Sequence, residues 1–195
     1  MAVPGRPSRV REQRADAAVN REALLRAATA AVHRDGLRVP MATIAADAGV
    51  GVGTLYRHFP TREQLLTHLT HRSFERVLAN AQAADQDAAT GVDALRRFIQ
   101  AAVDLRNELV LPLHGGPPVT DAATLDVQKR VHHAIRHMIG RGRADGTINR
   151  DVTARDIITF GSMLAQPRPP DPHWEATCRR LRDTYLHGLS ASVQS

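Results

Sequence analysis

Closely spaced glycines, aromatic residues and basic residues occur together in VGVGTLYRHFPTREQLL at positions 50–66, and these residue types suit two kinds of chemistry. Glycines in such a run can form a loop that binds phosphate through backbone amides. Arginine, histidine, threonine and tyrosine side chains can instead hydrogen-bond to the phosphates and base edges of DNA. The elements that position these residues distinguish the two possibilities.

The glycine spacing does not fit the common nucleotide-binding loops. A dinucleotide-binding fingerprint requires a third glycine in G-x-G-x-x-G after a strand. Thr54 occupies that place when counting starts at Gly49 and Gly51, and Tyr56 occupies it when counting starts at Gly51 and Gly53. A P-loop requires Gly-Lys followed by Ser or Thr, and that sequence does not occur. The spacing therefore argues against a nucleotide-binding loop.

Two short helices are predicted over 41–48 and 52–59, with a tight turn at Gly49 between them. This arrangement is typical of a helix-turn-helix, whose second helix enters the major groove while the first crosses the DNA backbone. The small residues Gly51 and Gly53 would let the start of the second helix approach DNA closely. The polar residues on that helix are Thr54, Tyr56, Arg57 and His58.

Apolar residues at helical spacing predict helices along most of the chain, and no segment alternates as strands do. We expect an all-α fold of eight or nine helices, with an N-terminal three-helix DNA-binding domain and a C-terminal helical domain for ligand binding and dimerisation. The expected division is a flexible basic arm at 1–18, the helix-turn-helix domain at 19–66 and the C-terminal domain at 67–195. The predicted helices cover 20–35, 41–48, 52–59, 61–84, 92–111, 121–140, 152–166 and 173–189.

Composition and charge constrain the class of protein. The formal net charge is +6 and the sequence pI is about 10.8. Within the first 70 residues, ten arginines stand against six acidic residues, which favours an anionic partner for the N-terminal part. One cysteine excludes an intrachain disulfide, and neither a long apolar run nor a secretory signal is found. We therefore expect a cytoplasmic, nucleoid-associated protein with no membrane partner.

Several short motifs occur together within residues 20–67. They are the Leu-x-x-Ala-Ala helix, the glycine after it, Ile44-Ala45, Ala48-Gly49-Val50, Gly53-Thr54-Leu55-Tyr56 and Phe59. In this combination the segment resembles the DNA-binding domain of the TetR family of transcriptional repressors. The resemblance implies a regulator that is not an enzyme, needs no cofactor and binds double-stranded operator DNA. It implies DNA contacts by Thr43, Gly53, Thr54, Tyr56, Arg57, His58 and Arg62.

Three positions depart from the family pattern. Gly51 replaces the usual serine, so the recognition helix lacks a side-chain N-cap. Val32 replaces an aromatic residue near the end of the first helix, which reduces the apolar volume of the small domain. Arg62 stands where the family usually has a phosphate-binding lysine, and it keeps the charge with a different geometry.

The C-terminal part is expected to form a homodimer and to bind a small-molecule effector of unknown identity. The resemblance implies that the last two helices, 152–166 and 173–189, form the dimer interface, which suits the two half-sites of a palindromic operator. Each candidate for the effector pocket could also be a core or surface residue. The candidates are Phe74, Phe98, Val103, Leu109, His114, His133, His137 and Met163.

Histidines and the cysteine leave an alternative open. His133 and His137 are four residues apart on one helix face, a spacing that can bind a metal, but no further ligands can be placed beside them, so no metal site is predicted. Cys178 has His173 and His187 nearby in sequence without a nucleophile signature, so no catalytic residues are predicted. The sequence favours a ligand-relieved repressor, and the alternative is a histidine-based metal sensor or an all-α enzyme with an incidental helix-turn-helix.

Overall fold

A computed structural model describes residues 9–189, and it describes the side chains of residues 19–189. Within this range the chain forms eight α-helices and two short 3-10 helices, with no strand, which confirms the predicted all-α class. No helix in the described range is both long and apolar enough to cross a membrane. The α-helices are α1 (Arg9–Asp35), α2 (Met41–Asp47), α3 (Val52–His58), α4 (Arg62–Gln86), α5 (Gly91–Asp104), α6 (Ala122–Ala144), α7 (Ala154–Leu164) and α8 (Pro172–Gly188), and the 3-10 helices are Arg106–Glu108 and Pro112–His114.

The start of α1 differs from the prediction. The composition predicts a flexible arm over residues 1–18, and this is wrong for residues 9–18, whose backbone is helical. Residues 9–18 contain three arginines, three alanines, one glutamate and one glutamine, and all four residue types have high helix propensity. The helix therefore extends beyond the part of α1 that has an apolar stripe. Residues 1–8 of the predicted arm lie outside the described residues.

The described chain divides between Leu66 and Thr67, within α4, into two compact units. The first unit packs α1, α2 and α3 around a small apolar core. The residues of this core recur at helical spacing in the sequence. Val32, which is smaller than the aromatic residue usual in the family, is buried among them. The Arg21 guanidinium lies 4.9 Å from the centre of the Phe59 ring, which joins α1 to the end of α3. The largest fully buried side chains of this core are Leu24, Ile44, Leu55 and Leu65.

The second unit packs α5 against α6, α7 and α8. Its core contains 22 buried residues, with the second half of α4 contributing Phe74 and Leu78. Helix α6 continues past Gly140, where the sequence predicts its end, because a glycine is tolerated inside a helix at a modest loss of stability. The largest fully buried side chains of this unit are Leu95, Ile99, Leu109, Ile135, Met138, Ile157, Leu186 and Thr124.

Helix α5 ends at Asp104 rather than at residue 111 as predicted. Arg106, which follows it, is only 6% exposed and turns its side chain inward. Its Nη1 donates to the Val103 carbonyl at 2.9 Å, and its Nη2 donates to Glu175 Oε1 at 3.2 Å. Because a buried guanidinium needs such partners, this side chain joins the end of α5 to α8 and the chain leaves the helical path there.

Candidate nucleic-acid interface and ligand cavity

A tight turn joins α2 to α3. Gly49 has a φ of +69°, a left-handed conformation that glycine adopts without steric penalty. Its N–H donates to Ala46 O at 3.0 Å, and the Val50 N–H donates to Ala45 O at 3.0 Å, so the last carbonyls of α2 are satisfied within the turn. Helix α3 then begins after Gly51, whose N-cap position makes no side-chain hydrogen bond. Backbone hydrogen bonds therefore form the corner between the two short helices.

One side of α3 is buried and the other faces outward. Leu55 is fully buried and anchors the helix to the core. Gly53, Tyr56 and Arg57 are exposed, with Tyr56 at 47%, and they follow i, i+3 and i+4 spacing along the outer side. His58 is half-buried beside them. The fold thus places three of the predicted DNA-contacting residues on one exposed face of this helix.

The other predicted contacts lie around that helix. Thr43 on α2, Thr54 on α3 and Arg62 in the first turn of α4 are all half-buried. Thr61, just before α4, accepts a hydrogen bond from the Gln64 N–H at 3.1 Å through Oγ1, which is the N-cap interaction expected at the start of a helix. This cap defines where α4 begins and so positions Arg62.

Charged residues of both signs lie near α3. The helix itself contains Arg57 and no acidic residue, and the first turn of α4 contains Arg62 and Glu63. The carboxylate of Asp47, at the end of α2, lies 2.9 Å from Arg34 Nη2 of α1, and Asp35 lies 2.7 Å from the same nitrogen. Within α3 itself the charge is positive, which attracts phosphate groups.

Val52 is a residue of this surface that the sequence-based reasoning missed. It occupies the first turn of α3 and is 39% exposed. Valine is usually buried in the core, so its residue type alone predicts a buried position for Val52, whereas the residue is exposed. The helical spacing could have identified Val52 as a surface residue, because position 52 precedes Tyr56 by four residues and therefore lies on the same side of the helix.

The second unit encloses a cavity of about 560 Å³ between α4, α5, α6, α7 and the second 3-10 helix. This volume lies in the usual range for small-molecule sites, about 300–1,000 Å³. Four of the eight predicted pocket residues line it: Phe74, Phe98, Leu109 and His114.

The other four predicted pocket residues do not line this cavity. Val103 is buried in the core, and Met163 is 64% exposed near the C-terminal end of α7. His133 and His137 face a separate groove of about 510 Å³ between α4 and α6. For Val103 and the two histidines the reason is the rotation of the helix about its own axis, which places residues one or two positions apart on different sides.

The residues of α6 and α7 that do line the cavity are mostly ones that the sequence-based reasoning missed. On α6 they are spaced by three and four residues, as one face of a helix requires. The sequence shows this spacing, but it shows the same spacing for other faces of the helix, so it does not indicate which face lines the cavity. The missed lining residues of these two helices are Gln128, Val131, His132, Ile135, Arg155, Ile157, Ile158, Thr159, Gly161 and Ser162.

In the groove that contains His133 and His137, two side chains contact the carboxylate of Asp85. His137 Nδ1 lies 2.7 Å from Asp85 Oδ2, and Arg141 Nη1 lies 2.6 Å from the other oxygen of the same carboxylate. Over the described part of the chain, no group of three or more His, Cys, Asp or Glu side chains could hold a metal ion. The carboxylate beside His137 is thus already paired with an arginine.

Comparison with known proteins gives a family match for one segment and similar folds for most of the chain. Residues 24–69 match the family described as bacterial regulatory proteins, tetR family. A TetR family transcriptional regulator, PfmR from Thermus thermophilus, has a TM-score of 0.69 and 22% sequence identity, covering 86% of this chain and 99% of that chain. The TetR transcriptional regulator SCO0520 from Streptomyces coelicolor has a TM-score of 0.59 and 27% identity, covering 89% and 99%.

A third similar structure is that of AibR in complex with isovaleryl coenzyme A and operator DNA. Its TM-score is 0.70 with 20% identity, and the match covers 88% of this chain and 98% of that chain. The matches to these solved structures extend over both units, whereas the family match covers residues 24–69 only.

Proposed function

We propose that this chain, a member of the TetR family of bacterial regulatory proteins, is a homodimeric repressor that leaves a palindromic operator when a small molecule binds. The observation that carries the proposal is the exposed face of α3, where Gly53, Tyr56 and Arg57 project from a helix-turn-helix corner. A face of this kind fits the major groove of DNA.

The residues around α3 divide into two roles in this proposal. Arg57 and Arg62 contact phosphates, because a guanidinium on a helix flank forms strong charge-assisted hydrogen bonds with them. Thr54, Tyr56 and His58 supply hydrogen-bonding groups that reach phosphates or base edges. Gly53 has no side chain and so allows the helix to lie deep in the groove, and Thr43 adds a contact from α2.

Exposed apolar side chains on α7 and α8 support the homodimer. Phe160 of α7 stacks on Tyr185 of α8, with ring centres 3.8 Å apart, so the two helices lie side by side. Near them Met163 is 64% exposed and Leu181 is 45% exposed. Two adjacent helices with exposed apolar residues suit association with a second copy, which would bury them.

The cavity in the second unit supports a small-molecule effector. It has the volume of a ligand site, and AibR shows the same fold with isovaleryl coenzyme A and operator DNA. In our proposal the ligand favours a conformation that binds DNA weakly. It can shift the equilibrium only by the difference between its affinities for the two conformations.

The salt dependence of DNA binding tests the proposed interface. A duplex from the DNA upstream of the gene is titrated with wild-type protein and with Arg57→Gln at several salt concentrations. Each lost phosphate contact lowers the slope of log affinity against log salt by about 0.9, so a dimer that loses two contacts should lose about 1.8. Sedimentation equilibrium of the same protein preparations measures their molecular mass and so tests whether the protein is a dimer.

The matched control is Arg150→Gln, which removes an exposed arginine from the second unit. It should leave both the affinity and the salt slope at wild-type values. If Arg57→Gln behaves in the same way as this control, the assignment of α3 to the DNA surface is wrong.

A further inference from the structure

We propose that the cavity of the second unit binds an amphipathic organic anion, with its apolar body among the phenylalanines and aliphatic residues and its carboxylate at Arg155. The inference rests on the proposed function only in naming this molecule as the effector. The binding itself concerns the second unit alone and is testable without DNA.

The inner wall of the cavity is apolar. Phe74 and Phe98, both about 90% buried or more, contribute aromatic surface from α4 and α5. Ile135 and Ile157 contribute aliphatic surface from α6 and α7 and are fully buried. Such a wall favours a hydrocarbon body, because moving apolar surface out of water is the main source of binding free energy at such a site.

Polar groups on two helices are available to a ligand. Gln128 and His132 are one turn apart on α6, and Arg155 and Thr159 are one turn apart on α7, and all four line the cavity. Among the described residues, none of these four side chains makes a hydrogen bond or an ion pair. By contrast, the lining residue Ser162 donates to the Thr159 carbonyl at 2.8 Å. A few polar groups without protein partners on an apolar wall are typical of a site that orients a ligand.

The charge of the lining favours an anion. Arg155 is the only Arg, Lys, Asp or Glu among the described residues that line this cavity. Its neighbour Asp156 is directed elsewhere, since its Oδ2 accepts from the Thr153 N–H at 2.8 Å and from the Thr153 hydroxyl at 2.7 Å. The Arg155 guanidinium is exposed and retains only a Coulombic interaction with Asp156, so its N–H groups can form two parallel hydrogen bonds with the carboxylate of a ligand.

His132 contributes hydrogen bonding and not charge. Burial lowers the pKa of His132, and the nearby Arg136 lowers this pKa further. The imidazole is therefore neutral at neutral pH, with one nitrogen as donor and the other as acceptor. Selection for a negative ligand consequently depends on Arg155.

Three ligands with one chain and different head groups test this inference. Octanoate, 1-octanol and octylamine are titrated into the full-length protein without DNA, and heat of binding is measured by calorimetry. Octanoate should bind at least about tenfold more tightly than 1-octanol, as expected for one charge-assisted contact, and octylamine should bind most weakly. Arg155→Gln should remove the advantage of octanoate and leave the affinity for 1-octanol unchanged.

Two further variants make the result specific. Arg150→Gln removes an exposed arginine that does not line the cavity and should leave all three affinities unchanged. Ala102→Phe places a ring into the cavity and should abolish binding of all three ligands, with circular dichroism as the check on folding. Should the latter variant fail to fold, the comparison of Arg155→Gln with Arg150→Gln still locates the anion.

Several outcomes would overturn the inference. They are absence of octanoate binding, equal binding of octanoate and 1-octanol, tighter binding of octylamine, and an Arg155→Gln variant with wild-type preference. None of these outcomes affects the DNA titrations with Arg57→Gln, which contain no ligand. Failure of the ligand class and failure of the DNA-binding function are thus separate results.

Discussion

Helices α5 and α6 approach each other closely at two glycines, and a single methyl group placed there should destabilise the second unit. A Cβ atom on Gly91 would lie 2.1 Å from Gly142 N, 2.3 Å from Gly142 Cα and 2.6 Å from Met138 O. All three are backbone atoms of α6, so no side-chain rotation can relieve the overlap. Gly91→Ala therefore requires the two helix backbones to separate.

The size of the effect follows from this geometry. Relieving the closest contact requires a displacement of about 1 Å between two packed helices, and overpacking of this kind costs roughly 1–3 kcal/mol. The movement would also lengthen the 2.8 Å hydrogen bond from the Gly91 N–H to Asp145 Oδ2. We expect a loss of about 3 kcal/mol in the free energy of unfolding, at the upper end of that range. For a chain of this length, that loss corresponds to a decrease in Tm of roughly 6–12 °C.

Gly140→Ala on α6 is the matched control. A Cβ at Gly140 meets no atom within 4 Å, and the position is exposed inside the helix. Replacing glycine by alanine at such a site should stabilise the protein by about 0.5–1 kcal/mol, because the unfolded chain loses conformational freedom. The same substitution is thus expected to have opposite signs at two positions in the same unit.

Thermal unfolding followed by circular dichroism measures both variants, at one fixed protein concentration because the proposed dimer would make Tm depend on concentration. Denaturant titration then supplies the free energies. If Gly91→Ala unfolds at the wild-type temperature, or is stabilised as Gly140→Ala is, the close approach of α5 and α6 is refuted.

Two further predictions concern titratable groups. Hydrogen bonds from Thr153 hold the pKa of Asp156 below its ordinary value of 3.8, so this carboxylate stabilises the folded state above that pH and the contribution disappears as the pH falls through the lowered pKa. Asp156→Asn should therefore be less stable than wild type at neutral pH, and the two should converge in acid when denaturant titrations are compared. Burial raises the pKa of the Cys178 thiol, so iodoacetamide should alkylate the native protein at least about tenfold more slowly than the unfolded chain, as measured by mass spectrometry. An equal rate in both states would show that the thiol is accessible.

Local sequence signals were sufficient for the elements of the first unit. Gly49 and Gly51 delimit α2 and α3, and Thr61 marks the start of α4 because its hydroxyl can cap a helix. Each of these signals acts within one helical turn, so it does not depend on the rest of the fold. The start of α1 shows the limit of this approach, since helix propensity continues through a segment without an apolar stripe.

Local sequence signals could not predict contacts between residues that are far apart in the sequence. Arg106, just after the end of α5, pairs with Glu175, which is 69 residues away in sequence. His137, in the groove between α4 and α6, pairs with Asp85, which is 52 residues away. Neither partner could be identified from sequence spacing, because many arginines and carboxylates were available along the chain.

The sequence alone determined that this protein is helical and that its residues 24–69 match the tetR family, because helix periodicity, caps and turn glycines are encoded within a few neighbouring residues. Tertiary structure decided which residues surround the cavity. The rotation of α6 is set by packing across the whole second unit, and it places His132 at the cavity and His133 in the separate groove. The rotation of a helix depends on its packing against the other helices of the core, so it cannot be predicted from the sequence of that helix alone.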